Sequence, residues 1–279
     1  MNSRLLTIVA VIAIALLGWR WSRAPAPPAV VIEVREGESG APETREVTTA
    51  TEAPAGAPRA AAQRRRYEIE PYIEGYGRVI LQGWSVRIAR DLYEPQPELA
   101  QDALALLDRK LADIVAAVPA DRVDELRAVP IWMSAQVEGL HGMQYHWSAD
   151  WLREHGYNPA KARAVEIAEA ATFINWEPDQ PWFVLHELTH ALHDRRLGEN
   201  NERVLSAFHN AQARGLYQSV RRNNGQTGPA YALNNDKEYL AELTEAYFGI
   251  NDFYPFNRKD LRDYDPVGYA MVESVWLGR

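Results

Sequence analysis

The sequence predicts an α+β domain that spans residues 67–279. The composition changes at Tyr67, where a stretch rich in Pro, Ala, Glu, Thr and Gly gives way to segments with large apolar side chains. Strand-like segments mixed with helical ones come first and mostly helical segments follow, which is an order typical of α+β proteins. With 279 residues, 47% of them hydrophobic, the chain can bury a core of ordinary size.

The predicted strands lie in the first half of this domain. The segment YIEGYGRVILQGWSVRIA, residues 72–89, alternates along its length and contains Gly75 and Gly77, which indicates strands joined by a tight turn. Residues 129–135 and 164–170 are also predicted strands, although the second of these segments also fits a helix.

The predicted helices follow from apolar spacing and from end signals. Residues 97–118 place apolar side chains on one helical side, namely Leu99, Ala103, Leu106, Leu107 and Ile114. Residues 181–197 form a second predicted helix, because Pro181 suits a first turn and Gly198 suits a C-terminal cap. Further helices are predicted at residues 200–222, 236–249 and 265–276.

The N-terminal segments are predicted to lie outside the folded domain. Residues 5–19 are uncharged and, except for Thr7, apolar, so residues 1–21 are expected to be a signal peptide or a membrane anchor. An uncleaved anchor is favoured, because the small residues 24–26 are followed by Pro27. Residues 22–66 read as a disordered linker rich in Pro and Ala. The domain is therefore expected to be anchored to a membrane and to face outside the cytoplasm, or to be secreted.

Composition excludes several classes of site. The formal net charge is -8, which argues against nucleic acid as the main partner because phosphate binding needs clustered Lys and Arg. The chain has no cysteine, so disulfide scaffolds, cysteine-based zinc sites and a cysteine nucleophile are excluded.

The stretch PWFVLHELTHALHD, residues 181–194, contains a metal-binding motif. His186 and His190 are four residues apart, so a helix places them on one face, one turn from each other. Two imidazoles in this arrangement can bind one zinc ion. Glu187 falls on the adjacent face, where its carboxylate can take a proton from a water molecule that the metal polarises. The pattern H-E-x-x-H is that of zinc peptidases, so the sequence predicts a Zn²⁺ cofactor.

The neighbouring histidine, His193, is not expected to be a ligand. It lies seven residues after His186, about 10.5 Å along a helix, which is too far for both to share a tetrahedral ion with His190. The metzincin pattern H-E-x-x-H-x-x-G-x-x-H also fails, because His193 stands where it requires glycine and Arg196 where it requires histidine. The third ligand must therefore come from another segment.

An acidic stripe on the predicted helix 236–249 is the candidate source of that ligand. Glu238, Glu242 and Glu245 are spaced i, i+4 and i+7, so they share one helical face. Like charges at this spacing repel each other by about 0.2–0.5 kcal/mol per pair, and a cation opposite them would remove that penalty. The spacing alone does not choose between Glu238 and Glu242.

The segment EYLAE, residues 238–242, resembles part of a known peptidase family. With Tyr231 seven residues before it and HELTHALHD upstream, it resembles the gluzincins, and more closely the catalytic domain of the anthrax-toxin lethal factor family. In that family the ligand glutamate begins a segment E-[FY]-[FL]-A-E, and a tyrosine stands seven residues before it. The resemblance covers residues 181–250; upstream of them it is architectural only.

The resemblance implies a fold and a set of residue roles. The fold would be a zincin-like metalloprotease domain, with a small mixed sheet, an active-site helix and a mostly helical C-terminal part. Glu238 would be the third zinc ligand beside His186 and His190. Tyr231 would stabilise an oxyanion, and Glu242 would be a carboxylate that orients a ligand histidine.

These features together predict a zinc-dependent metallopeptidase that acts on a peptide or protein substrate. Glu187 would be the general base and Tyr231 the oxyanion stabiliser. One alternative is a catalytically inactive zincin-like module that binds peptide or envelope material on a membrane stalk, and another is a structural tether. The intact Glu187 and ligand set favour the enzyme.

The segment MQYHWSADW, residues 143–151, has two interpretations. In zincins an edge strand upstream of the metal-binding helix pairs with the extended substrate, and either this segment or residues 164–170 is a candidate for that strand. In the other interpretation its aromatic side chains belong to the core and His146 makes a structural hydrogen bond.

Overall fold

A six-stranded mixed sheet organises the first half of residues 65–278, which are the residues that this computed structural model describes. Its strands are β1 (Glu70–Ile73), β2 (Tyr76–Leu81), β3 (Trp84–Ala89), β4 (Ile131–Met133), β5 (Met143–His146) and β6 (Ala164–Ile167). Their order across the sheet is β1-β2-β3-β4-β6-β5. Strands β3, β4 and β6 are parallel, whereas β1, β2 and β5 pair antiparallel with their neighbours. Strand β5 therefore lies at an edge of the sheet.

Helices pack against the sheet and make up most of the second half. They are α1 (Arg90–Tyr93), α2 (Pro97–Ala117), α3 (Ala120–Arg127), α4 (Ala149–Glu154), α5 (Ala170–Trp176), α6 (Phe183–Leu192), α7 (Glu202–Ala213), α8 (Asp236–Phe248), α9 (Arg258–Tyr264) and α10 (Pro266–Leu277). A short ribbon of β7 (Val220–Arg221) and β8 (Thr227–Gly228) lies between α7 and α8. The predicted α+β class is confirmed, and residues 65–278 belong to one compact unit.

Helices α6 and α8 occupy the centre of the fold. Helix α6 packs against β5, β6 and α8. It continues as a π-helical turn, His193–Leu197, and ends at Gly198 with φ of 76°, a conformation that favours glycine. Helix α8 begins at a strong N-terminal cap, because the Asn235 side chain accepts hydrogen bonds from the backbone N–H groups of Lys237 and Glu238. The cap places Glu238 in the first turn of α8.

Several predicted boundaries need correction. The helix predicted at residues 200–222 ends at Ala213, because Gly215 and Tyr217 both have φ of 67° and leave the helical conformation. Residues 220–221, predicted to be helical, are strand β7. Residues 164–170, which fitted either a strand or a helix, contain strand β6 and only begin a helix at Ala170.

The two faces of the sheet differ in character. Val86, Ile131 and Val165 pair across β3, β4 and β6, and they belong to the same buried core as the apolar faces of α2 and α6. Successive side chains of a strand point to opposite faces. The next residue of each strand therefore lies on the other face, which carries Arg87, Trp132 and Glu166.

Glu166 is a buried carboxylate on this second face. Its Oε2 lies 2.7 Å from Nε2 of His146, and its Oε1 accepts a hydrogen bond from the Lys161 ammonium. Burial raises the pKa of Glu166, but its hydrogen bond with His146 and the charge of Lys161 outweigh burial and hold the pKa below its ordinary value. His146 thus makes a structural hydrogen bond that fastens β5 to β6.

The membrane prediction concerns residues that the structure does not describe. Residues 1–21, the expected signal peptide or anchor, and residues 22–64 of the expected linker lie outside the described part of the chain. Within residues 65–278 no helix is long and apolar enough to cross a membrane.

We expect Glu166→Gln to lower the free energy of unfolding by about 3–5 kcal/mol, because it leaves the buried Lys161 ammonium without a counter-charge. Urea denaturation at neutral pH measures the loss. Glu154→Gln is the control, since Glu154 is exposed. Because the pKa of Glu166 is depressed, its contribution is present above the ordinary carboxyl pKa and is lost as the pH falls through the folded value. The two proteins should therefore differ least in acid, and equal stability at neutral pH would contradict the assignment.

Candidate functional site

Helix α6 presents the two motif histidines to one side. His186 and His190 stand one turn apart with their ring centroids 4.8 Å from each other, and the side chains are 10% and 16% exposed. Apart from Glu187 and Thr189, the other residues of the helix are apolar and buried, so the rotation of α6 about its axis is fixed by the core. The two imidazoles are therefore held in place before any ligand binds.

Glu238 brings one carboxylate oxygen to both imidazoles. Its Oε2 lies 2.9 Å from Nε2 of His186 and 3.2 Å from Nε2 of His190. Burial raises the pKa of Glu238, but the two histidines outweigh it and hold the pKa far below its usual range. The structure thus brings together the three residues that the sequence analysis expected to bind zinc.

Glu187 also lies close to the two histidines. One donor atom from each of His186, Glu187 and His190 lies within 4.8 Å of the others. Its Oε2, however, accepts a hydrogen bond from the backbone N–H of Tyr145 at 2.8 Å, and Glu238 approaches both imidazoles more closely. Burial raises the pKa of Glu187, and the nearby histidines oppose that rise. Of the two carboxylates, Glu238 therefore lies closer to both imidazoles, and Glu187 lies beside them.

The carboxylate that orients His186 is Glu245. Its Oε1 lies 2.7 Å from Nδ1 of His186, whereas Oε1 of Glu242 is 3.9 Å from the same atom. Glu242 instead accepts a hydrogen bond from the side-chain amide of Asn251 at 3.1 Å. The orienting contact that the resemblance implied for Glu242 is thus made one turn further along α8. The sequence carried a signal for this, because Glu245 belongs to the same acidic stripe.

The imidazole of His186 lies between the first and third turns of α8. Glu238 contacts its Nε2 from one end and Glu245 its Nδ1 from the other. Burial lowers the pKa of His186, but the hydrogen bonds with these two carboxylates outweigh it and raise the pKa well above its ordinary value. Burial brings the pKa of Glu245 to about 7. Because both ring nitrogens have a carboxylate partner, the orientation of the His186 ring is fixed, with Nδ1 toward Glu245 and Nε2 toward Glu238.

Tyr231 stands at the open side of these residues. It begins a 3-10 turn, Tyr231–Leu233, and its ring centroid is 6.3 Å from that of His186. The residue is 43% exposed. Partial burial and the charge of Glu238 raise the pKa of Tyr231 above its ordinary value, so the phenol stays protonated at neutral pH.

His193 stands apart from this constellation. It is 1% exposed, and neither ring nitrogen has a hydrogen-bond partner among the described residues. Its nearest carboxylate oxygen is Oδ2 of Asp236, 3.9 Å from Nε2. Burial lowers the pKa of His193 to about 4, so the ring is neutral at neutral pH. The structure thus places it at the α6–α8 interface as a buried side chain.

Comparisons with known proteins do not assign the chain to a family. No family model, no curated protein and no solved structure matches the chain. The assignment of residues therefore rests on the motif and on the contacts described above.

If a divalent metal ion binds here, as the sequence predicts, Glu245→Ala should weaken its binding by about 10–100-fold, because the His186 ring loses the partner of its Nδ1. Glu242→Ala is the matched control from the same helix face, and it should have the smaller effect because Glu242 makes no hydrogen bond with His186. Competition with a chromogenic zinc chelator measures both affinities. A larger loss for Glu242→Ala would show that the 2.7 Å contact does not govern the site.

Proposed function

We propose that this chain is a zinc-dependent metallopeptidase with a zincin-like fold, in which His186, His190 and Glu238 hold the metal. The observation that carries the proposal is the approach of one Glu238 oxygen to Nε2 of both motif histidines. Zinc in catalytic sites has three protein ligands of this type and keeps one open position. The order of HELTH, Tyr231 and EYLAE along the chain supports the same assignment.

The observed separations fit the size of a zinc site. With ligands at about 2.0–2.1 Å in tetrahedral geometry, neighbouring ligand atoms lie about 3.3–3.4 Å apart. The two histidine-to-Glu238 separations are 2.9 and 3.2 Å. An ion pair between a protonated histidine and Glu238 also accounts for a contact of this length, but it leaves unexplained why the carboxylate oxygen lies between two imidazoles.

The residues around the histidines match the needs of peptide hydrolysis. A bound zinc ion would act as a Lewis acid toward a peptide carbonyl and toward a water molecule. Glu187 is placed to take the proton of the attacking water and to return it to the leaving amine. Tyr231, whose phenol is protonated at neutral pH, is placed to donate a hydrogen bond to the developing oxyanion. Glu245 holds Nδ1 of His186, so Nε2 of this histidine faces Glu238, where it would bind the zinc ion.

The proposal extends to substrate and location. The substrate is a peptide or protein, and the apolar residues 5–19 direct the domain to the outer side of a membrane, either anchored or released. A non-catalytic zincin-like module would hold the same metal but would not hydrolyse peptides, so metal content and hydrolysis must be measured together.

We expect the purified full-length protein to hold about one equivalent of zinc and to digest casein, and we expect Glu187→Gln to keep the zinc but to lose hydrolysis. A general base contributes typically about 10²–10⁴-fold to the rate, and Glu187 is not one of the three ligands. Glu199→Gln, an exposed carboxylate close in sequence to the same helix, is the control.

Two results would contradict the proposal. Turnover near the wild-type rate in Glu187→Gln would remove the assigned role of this residue. A wild-type protein that binds zinc but hydrolyses neither casein nor a random peptide library would favour the non-catalytic module instead.

A further inference from the structure

Strand β5 lies beside the helix that carries Glu187. The backbone of an antiparallel edge strand points alternately toward its partner strand and away from the sheet. Gly142 and His146 accept hydrogen bonds from backbone groups on the β6 side, so Tyr145 has its N–H on the outer side. That N–H donates to Oε2 of Glu187 at 2.8 Å. The Glu187 carboxylate, which is the proposed general base, therefore accepts a hydrogen bond from an outward-facing backbone N–H at the edge of the sheet.

The side chain of Tyr145 makes a second contact with the same helical segment. Tyr145 pairs with Val165 across the sheet, so its ring lies on the core face, toward α6. Its hydroxyl donates to Oδ2 of Asp194 at 2.7 Å. Asp194 follows Glu187 by seven residues, which corresponds to about 10.5 Å along a helix. Tyr145 thus connects β5 to Glu187 and to Asp194, which are about two helical turns apart.

Arg163 makes a further contact with Asp194. Its Nε lies 3.2 Å from the same Oδ2 of Asp194, and its backbone N–H donates to the carbonyl of His146 on β5. The backbone of Arg163 is in turn held by Arg195, whose guanidinium donates to its carbonyl at 2.6 Å. Strand β5 and the turn after α6 are therefore joined by a closed set of hydrogen bonds.

We propose that Tyr145 is a positioning residue for Glu187: its hydroxyl, bound to Asp194, holds β5 where the Tyr145 N–H can fix one oxygen of the Glu187 carboxylate. A terminal carboxylate rotates in a broad torsional well, so an unrestrained Glu187 would sample many orientations. With Oε2 bound to the backbone, Oε1 is the oxygen left to carry a proton. A displacement of a reacting group by about 1 Å can cost about 100-fold in rate.

This inference rests on the proposed function. The test is designed so that a failure of the positioning role can be distinguished from a failure of the proposed function. Zinc content, kcat and KM are measured for wild type, Tyr145→Phe and Tyr67→Phe, with fluorescently labelled casein as the probe. Tyr67→Phe is the matched control, because the Tyr67 hydroxyl also donates to a carboxylate, that of Asp108, at 2.9 Å, and Tyr67 packs against α2. Tyr145→Phe should keep its zinc and its KM and lose about 10–100-fold in kcat. The control should keep all three.

A second readout does not depend on hydrolysis. Amide hydrogen exchange, resolved by NMR on the zinc-loaded protein, should be about tenfold faster at residue 145 in Tyr145→Phe and unchanged there in Tyr67→Phe. Asp194→Ala removes the same bond from its other end, together with the Arg163 contact, and should give changes at least as large. The double variant should be no worse than Asp194→Ala alone, because the Tyr145 hydroxyl acts through Asp194.

The outcomes are distinct. If wild type neither holds zinc nor digests casein, the proposed function fails, and the role of Tyr145 as a positioning residue fails with it. If wild type is active and Tyr145→Phe has wild-type kcat, the positioning role alone is overturned, even where exchange at residue 145 is faster. Faster exchange together with a lower kcat at unchanged KM and zinc content is the result that the inference expects.

Discussion

The packing of α8 against α6 is the constraint on which the candidate site depends. It sets the His186 ring between two carboxylates of α8, with Glu238 at Nε2 and Glu245 at Nδ1. The Asn235 cap fixes where α8 begins, and the apolar sides of both helices fix their rotation. A rotation of α8 by one residue would turn both glutamates away from the ring, so the fold and the donor geometry are specified together.

The packing also concentrates negative charge in a poorly solvated place. Burying a carboxylate without a partner is costly, and the chain offsets this cost locally. Glu242 accepts from Asn251, and Asp252 pairs with Arg222 at 2.9 Å. Burial raises the pKa of Glu242 well above its ordinary value, with further contributions from Asp252 and Glu245. The proposed zinc ion, held between the histidines and Glu238, would reduce the remaining repulsion.

The sequence predicted the parts of the site that depend on local rules and missed those that depend on packing. Two histidines four residues apart must share a helical face, and the same rule grouped the three glutamates of α8. The choice of Glu245 as the partner of His186 depends on the rotation of α8 against α6, which spacing does not contain. The edge position of β5 was also left open between two segments, because a short run of apolar residues does not distinguish an edge strand from an interior one. The end of α7 was missed because the turn at Gly215 outweighed the continuing helical pattern.

The ligand set is the central claim, and the most direct test is an anomalous difference map at the zinc edge from crystals of the zinc-loaded protein. We expect one peak with Nε2 of His186, Nε2 of His190 and an oxygen of Glu238 each within about 2.0–2.2 Å. Matched crystals of Glu238→Ala should lose the peak, whereas those of His193→Ala should retain it. A peak bound by His193, or one with Glu187 in the place of Glu238, would contradict the account.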